Sequence, residues 1–142
     1  MFRLAKLEDL ETISVLMNEL FNSDMKAFYT KEGVKTLSAQ ITLKSLQERF
    51  FKDSVFYVDS QIQTVLEVEK LSHIAFLFSK QQNKGNAKAI CNYFFETTKE
   101  EFISVGAFSQ ALGFYEKLEF IKVSEPKLVN GMPFTLMAKS LL

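Results

Sequence analysis

The stretch Gln82-Asn83-Lys84-Gly85-Asn86-Ala87-Lys88-Ala89-Ile90 sits between an apolar run and an amphipathic one. A buried strand, a short polar loop and a helix start form a general anion-binding arrangement. First-turn N–H groups lack an intrahelical partner, and the helix dipole adds positive potential. Gly85 would let a phosphate approach the main chain with no Cβ in the way, and Ala87 is small for the same reason. On spacing alone the plainer reading stays open, a polar turn before a helix. His73 is the only histidine. Its ordinary pKa suits proton relay near neutrality, although a strand-end imidazole can equally be bonded to backbone. Cys91 falls on the apolar stripe of a helix with no partner nearby in sequence and reads as an inert core thiol. No cluster of Cys, His or paired carboxylates points to a metal site. No Gly-x-Ser-x-Gly elbow points to serine hydrolysis.

These residues must be held by elements that the patterning predicts. Leu10, Ile13, Leu16, Met17, Leu20 and Phe21 recur at helical spacing, with Glu8, Asp9 and Glu11 at the start. "TKEGVKTLSAQ" and "TLKSLQERFFKD" each open on a threonine fit to cap a helix, giving two short helices or one bent near Gln40. "SVFYVD" and "IQTVLEVEKL" read as a hairpin. In the second run Ile62, Thr64, Leu66 and Val68 share one face, and Gln63, Val65, Glu67 and Glu69 the other, polar and solvated one. "SHIAFLFS" is nearly all apolar, as in a strand covered on both faces. A helix over about Asn86 to Thr98 carries Ala87, Ile90, Cys91, Phe94 and Phe95 in one stripe. "EFISVGA" is a strand. "SQALGFYEKL" is a helix, with Ala111, Phe114, Tyr115 and Leu118 on its apolar side. "EFIKVSE" is a strand. "VNGMPFTLMAKSL" supplies a turn at Asn130-Gly131 and a last strand. The class is mixed α/β, or α+β, with an antiparallel first half and a βα unit after it.

Composition bounds the function. The 142 residues predict one domain, 1–142, and 17 basic against 17 acidic side chains leave no net field to draw the chain to nucleic acid or an anionic membrane. No apolar run approaches the ~18 residues of a spanning helix. "MFRLAKLEDLE" is charged too early for a signal peptide. A single cysteine cannot form an internal disulfide, so a reducing cytoplasm fits.

Gln82-Asn83-Lys84-Gly85-Asn86-Ala87 matches the Q/R-x-x-G-x-G/A acetyl-CoA signature, and the chain resembles the GNAT superfamily of N-acetyltransferases. "HIAFLF" looks like that family's central strand and "KAI" like the helix that follows. "SVGAFSQALGFYEKLEF", Ser104 to Phe120, resembles its later "V-N-A-S…FYEKLGF" element. "FRLAKLEDLETI" and "LVNGMPFTLMAK" resemble the opening and the closing hairpin of bacterial members. The resemblance implies a mostly antiparallel sheet of about six to seven strands, flanked by about four to five helices, with a central splayed strand pair.

It also implies a cofactor, acetyl-CoA, and a reaction, direct attack of a primary amine on the thioester. The acceptor would be a small-molecule or peptide amine, and the protein a monomer or homodimer. By carry-over, Gln82 opens the signature and the backbone of Lys84, Gly85, Asn86, Ala87 and Lys88 faces the pyrophosphate. Lys84 and Lys88 could add charge. The ends of Phe78 and Lys80 would face the pantetheine arm. Tyr115 matches the tyrosine that protonates the leaving thiolate, although its place on an apolar stripe equally suits a core tyrosine. Glu67 and His73 match an acidic position and a histidine that could take the amine proton. The pattern departs at Gly106, where an asparagine often bonds the cofactor, and at Glu119, where the family has glycine. The loop after Phe78 is also shorter than usual. These departures carry the alternative, a non-catalytic coenzyme A-binding sensor or interaction module on the same fold.

Overall fold

The computed structural model describes residues 1–80 and 85–142. Strand β1 (Phe2–Leu4) leads into helix α1 (Leu10–Leu20), α2 (Lys31–Gln40) and α3 (Leu43–Lys52). Thr30 and Thr42 cap the last two, their side chains accepting from Gly33 N and Ser45 N. The chain from Thr30 to Lys52 is therefore two helices, not one bent helix. Three antiparallel strands follow, β2 (Ser54–Asp59), β3 (Thr64–Glu69) and β4 (His73–Ser79). Then come α4 (Asn86–Thr97), β5 (Phe102–Ala107), α5 (Leu112–Lys117), β6 (Ile121–Lys122), β7 (Lys127–Val129) and β8 (Met132–Ser140). Asn130 and Gly131 both take positive φ, 52° and 77°, as a two-residue hairpin turn requires.

The strands join in one sheet, ordered β1-β2-β3-β4-β5-β8-β6, with β7 paired to β8. Among the described residues every ladder is antiparallel except β4–β5. The sheet has eight strands, against the six to seven expected. The difference lies in β7, an edge piece too short for side-chain alternation to register in sequence.

The sheet separates two cores. Leu10, Ile13, Met17, Leu37 and Leu46 pack on Phe56, Val58, Val65 and Phe78 on one face. Ile90, Cys91, Phe94, Tyr115 and Leu118 pack with Leu66, Val68, Ile74, Ile103 and Val105 on the other. Strand β3 lies between β2 and β4 with helices over both faces. The face expected to be solvated is therefore buried, Glu67 included.

Candidate active site

β4 and β5 share parallel register only at His73↔Ser104 and Ile74↔Val105. On the other side of β4 the register with β3 slips, Glu67 facing Phe76 while Val68 faces Ile74. Ala75 is thus an extra residue, and such a bulge bends its strand. Past it β4 and β5 part, leaving a cleft of about 500 Å³. Phe76, Phe78 and Tyr29 line it from the α1–α3 side, and Val105, Ala107, Ala87 and Tyr115 from the α4–α5 side. The opening therefore runs through the sheet.

The start of α4 stands at one end of this cleft. Gly85 is its N-cap, at φ 79°, with no side-chain capping bond. Positive φ is the need that selects glycine there, since a Cβ would meet nothing within 4 Å. Among the described residues the first bond into the helix runs from Ala89 N to Gly85 O at 2.9 Å. The amides of Ala87 and Lys88, in the first turn, therefore have no helical acceptor among the described residues. Ala87 lines the cleft and Lys88 is exposed. Asn86 opens the helix. Gln82 and Lys84 lie outside the described residues.

Tyr115 projects from α5 into the cleft wall and is 5% exposed. Among the described residues no group bonds its hydroxyl, yet no buried side-chain oxygen there lacks a partner. The hydroxyl is therefore open to the cleft. Burial, and then the neighbouring Cys91, pushes this phenol well above its ordinary value of 10. Cys91 itself is raised by burial to about 12, which makes it the inert thiol the sequence implies. A C-terminal motif fixes the tyrosine. Glu119 N donates to Glu116 O and Phe120 N to Tyr115 O, both at 3.0 Å, closing α5 in Schellman fashion.

Glu67 is not the solvated carboxylate expected from strand alternation. Arg49 Nε and Nη2 donate to its two oxygens at 2.6 and 3.0 Å, and Ser54 Oγ donates at 2.7 Å. The Arg49 guanidinium lies 5.5 Å from the Phe76 ring centre and borders the cleft. Sequence reasoning missed Arg49, since nothing local links a helix residue to a strand residue so far along the chain. His73 does border the cleft. Its Nδ1 lies 2.8 Å from Ser104 Oγ, a side chain and not the backbone. Burial lowers its pKa below 6.5, Glu69 opposes that shift and Lys70 adds to it.

Phe78 lines the cleft, stacked on Phe76. Lys80 is turned elsewhere: its amide donates to Gln63 O at 2.9 Å, and its Nζ lies 3.8 Å from Glu19. Amides alternate edges along a strand, so Leu77 and Ser79 present the main chain that borders the opening. Gly106 sits in β5 opposite Leu136, and a Cβ there would come 3.1 Å from the Phe134 ring. The Phe134 ring would have to give by a few tenths of an ångström to admit a Cβ at 106. Among the described residues no group of three His, Cys, Asp or Glu side chains could hold a metal.

The sequence profile of the acetyltransferase (GNAT) domain matches residues 25–141. The chain belongs to the GNAT acetyltransferase family. Solved GNAT structures share its fold at low identity. The PaiA N-acetyltransferase of Thermoplasma acidophilum, in complex with coenzyme A, is 18% identical, with 99% of this chain and 98% of that one covered at a TM-score of 0.76. A GNAT acetyltransferase of Staphylococcus aureus Mu50 is 14% identical, covering 100% and 99%, at 0.73. The yncA protein of Salmonella typhimurium, with its cofactor acetyl-CoA, is 13% identical, covering 99% and 93%, at 0.70. Sequence comparison with curated proteins finds no match. The splayed β4–β5 pair belongs to the fold that these structures share with this chain.

Proposed function

We propose that this GNAT protein transfers the acetyl group of acetyl-CoA directly to a primary amine. The observation that carries the reading is the cleft between β4 and β5, with the α4 N-terminus at one end and the Tyr115 hydroxyl in its wall. The diphosphate would lie on the main chain from Gly85 to Lys88, where the helix dipole favours negative charge. The pantetheine arm would run past Leu77, Phe78 and Ser79. Gly106 would offer only its backbone.

The chemistry follows from what borders the thioester. A neutral amine attacks the carbonyl carbon, and amide dipoles stabilise the oxyanion. The C–S bond then breaks, and Tyr115 donates its proton to the departing thiolate. His73 takes the amine proton, directly or through water, because its lowered pKa keeps the imidazole neutral at pH 7. Glu67 can serve as base only by giving up Arg49 and Ser54, so we assign it to holding Arg49 in place. The inert single cysteine is consistent with a reducing cytoplasm.

Packing of Phe134 over Gly106 favours a second reading, a coenzyme A sensor without turnover. Calorimetry with acetyl-CoA followed by thiol-release assays over an amine panel separates the two. Binding with turnover supports the transferase. Binding without turnover supports the sensor, and no binding removes both.

A further inference from the structure

Resting on the transferase reading, we infer that the acceptor is a compact, largely apolar primary amine and not a peptide or protein. The acceptor end of the cleft is roofed. The N-terminal helices and the C-terminal half of the sheet meet above it at two places. In the first, Tyr29 packs edge-on against Phe108, ring centres 6.0 Å apart. In the second, the β7–β8 turn is locked to α2. Thr30 Oγ1 donates to Gly131 O at 3.1 Å, and Thr36 Oγ1 to Asn130 O at 2.9 Å.

The two backbones touch at this latch. A Cβ on Gly33 would lie 2.3 Å from Gly131 O, and one on Gly131 would lie 2.4 Å from Gly33 N. Only paired glycines allow that approach. The residues flanking the latch, Tyr29 and Met132, both line the cleft. The latch is therefore the rim of the site. Main chain on main chain thus leaves no open groove between α2 and the hairpin for an extended polypeptide.

The lining chooses the chemistry of what fits beneath. Leu37, Phe76, Met132, Pro133 and Phe134 join Tyr29 in walling the space. The charged groups bordering it among the described residues are Arg49, neutralised by Glu67, and Glu69, beside His73. Such a site holds an apolar body by area and offers little to an amine with several charges. The cleft of about 500 Å³ must also hold the acyl-bearing arm, which limits the acceptor to a small molecule.

The test uses the full chain. Thiol release from acetyl-CoA is measured with 2-phenylethylamine and 3-methylbutylamine, with 1,4-diaminobutane, and with peptides bearing a free N-terminus or an internal lysine. Acetyl-CoA affinity is followed separately by calorimetry. The expected result is kcat/KM at least about tenfold higher for the apolar amines than for the diamine and peptides, a difference of ~1.4 kcal/mol. Thr36→Ala, the mild change, and Gly131→Ala, the severe one, should raise KM for the apolar amines and narrow that ratio. Affinity for acetyl-CoA should stay unchanged. Binding of acetyl-CoA with peptides or the diamine preferred, or with no apolar amine acetylated, overturns this inference alone. Failure to bind acetyl-CoA overturns the transferase reading beneath it.

Discussion

Phe120 holds Tyr115 twice: its amide donates to the Tyr115 carbonyl at 3.0 Å, and its ring meets the tyrosine edge-on at 5.3 Å. Between the helix end and Phe120, Glu119 sits at φ 70°. A left-handed backbone costs a non-glycine residue about 1–2 kcal/mol. Glu119→Gly should therefore stabilise the protein by about 1 kcal/mol after the added freedom of the unfolded chain is subtracted. A thermal melt should rise by roughly 2–4 °C. An unchanged or lower midpoint would mean that the glutamate makes a compensating interaction.

Tyr115→Phe removes one oxygen from a wall of the cleft and leaves the packing intact. Loss of a positioned acid should lower kcat about 10²-fold, with acetyl-CoA affinity unchanged. A thioester whose leaving thiol is more acidic should recover most of that loss, because its thiolate needs less help. Burial holds the phenol above 10, so it remains protonated through the assay range and causes no alkaline decline below pH 10. The same shift gives stability that is complete below pH 10 and is lost as pH rises through the folded value. Full activity of the phenylalanine variant with its best acceptor would remove the acid assignment.

Arg49→Leu should be the more damaging half of the ion pair to lose. It strands a wholly buried Glu67 carboxylate on Ser54 alone. Breaking such a pair from one side costs about 3–5 kcal/mol. The double variant Arg49→Leu/Glu67→Leu should recover much of this, since neither charge is then left alone. Urea midpoints of both variants and the wild type measure the difference. Equal midpoints for wild type and Arg49→Leu would show that the pair contributes little.

His73 titrates below 6.5 because it is buried, so its protonation should add an acid limb to kcat, read at saturating acceptor, only below pH 6.5. His73→Gln should flatten that acid limb and lower kcat by at least about tenfold. Stability follows the same sign. The unfolded state takes the proton first, so the contribution is present above 6.5 and is lost as pH falls from there through the folded value. An acid limb that survives in His73→Gln would move the base elsewhere.

Much of this architecture was legible in the residues. Helical spacing in Leu10–Phe21, threonine caps at Thr30 and Thr42, and Asn130-Gly131 between two runs are local signals, and each element formed where its signal lay. The surroundings of Glu67 were not legible. Alternation placed it opposite Leu66 and Val68 but could not say that α3 would cover that face and bring Arg49 to it. The orientation of the Lys80 amide was not legible either, because the edge an amide faces depends on strand register, which a run of apolar residues leaves undetermined. The latch between Gly33 and Gly131 joins segments distant in sequence, and each glycine alone reads as an ordinary turn or helix residue.

The central claim is that main-chain donors at the start of α4 receive a diphosphate beside the β4–β5 opening. Titration calorimetry with coenzyme A and, separately, with pantetheine, which lacks that group, tests it most directly. The account predicts coenzyme A binding in the micromolar range, with pantetheine weaker by at least about tenfold. Equal affinities, or no heat with coenzyme A, would contradict it.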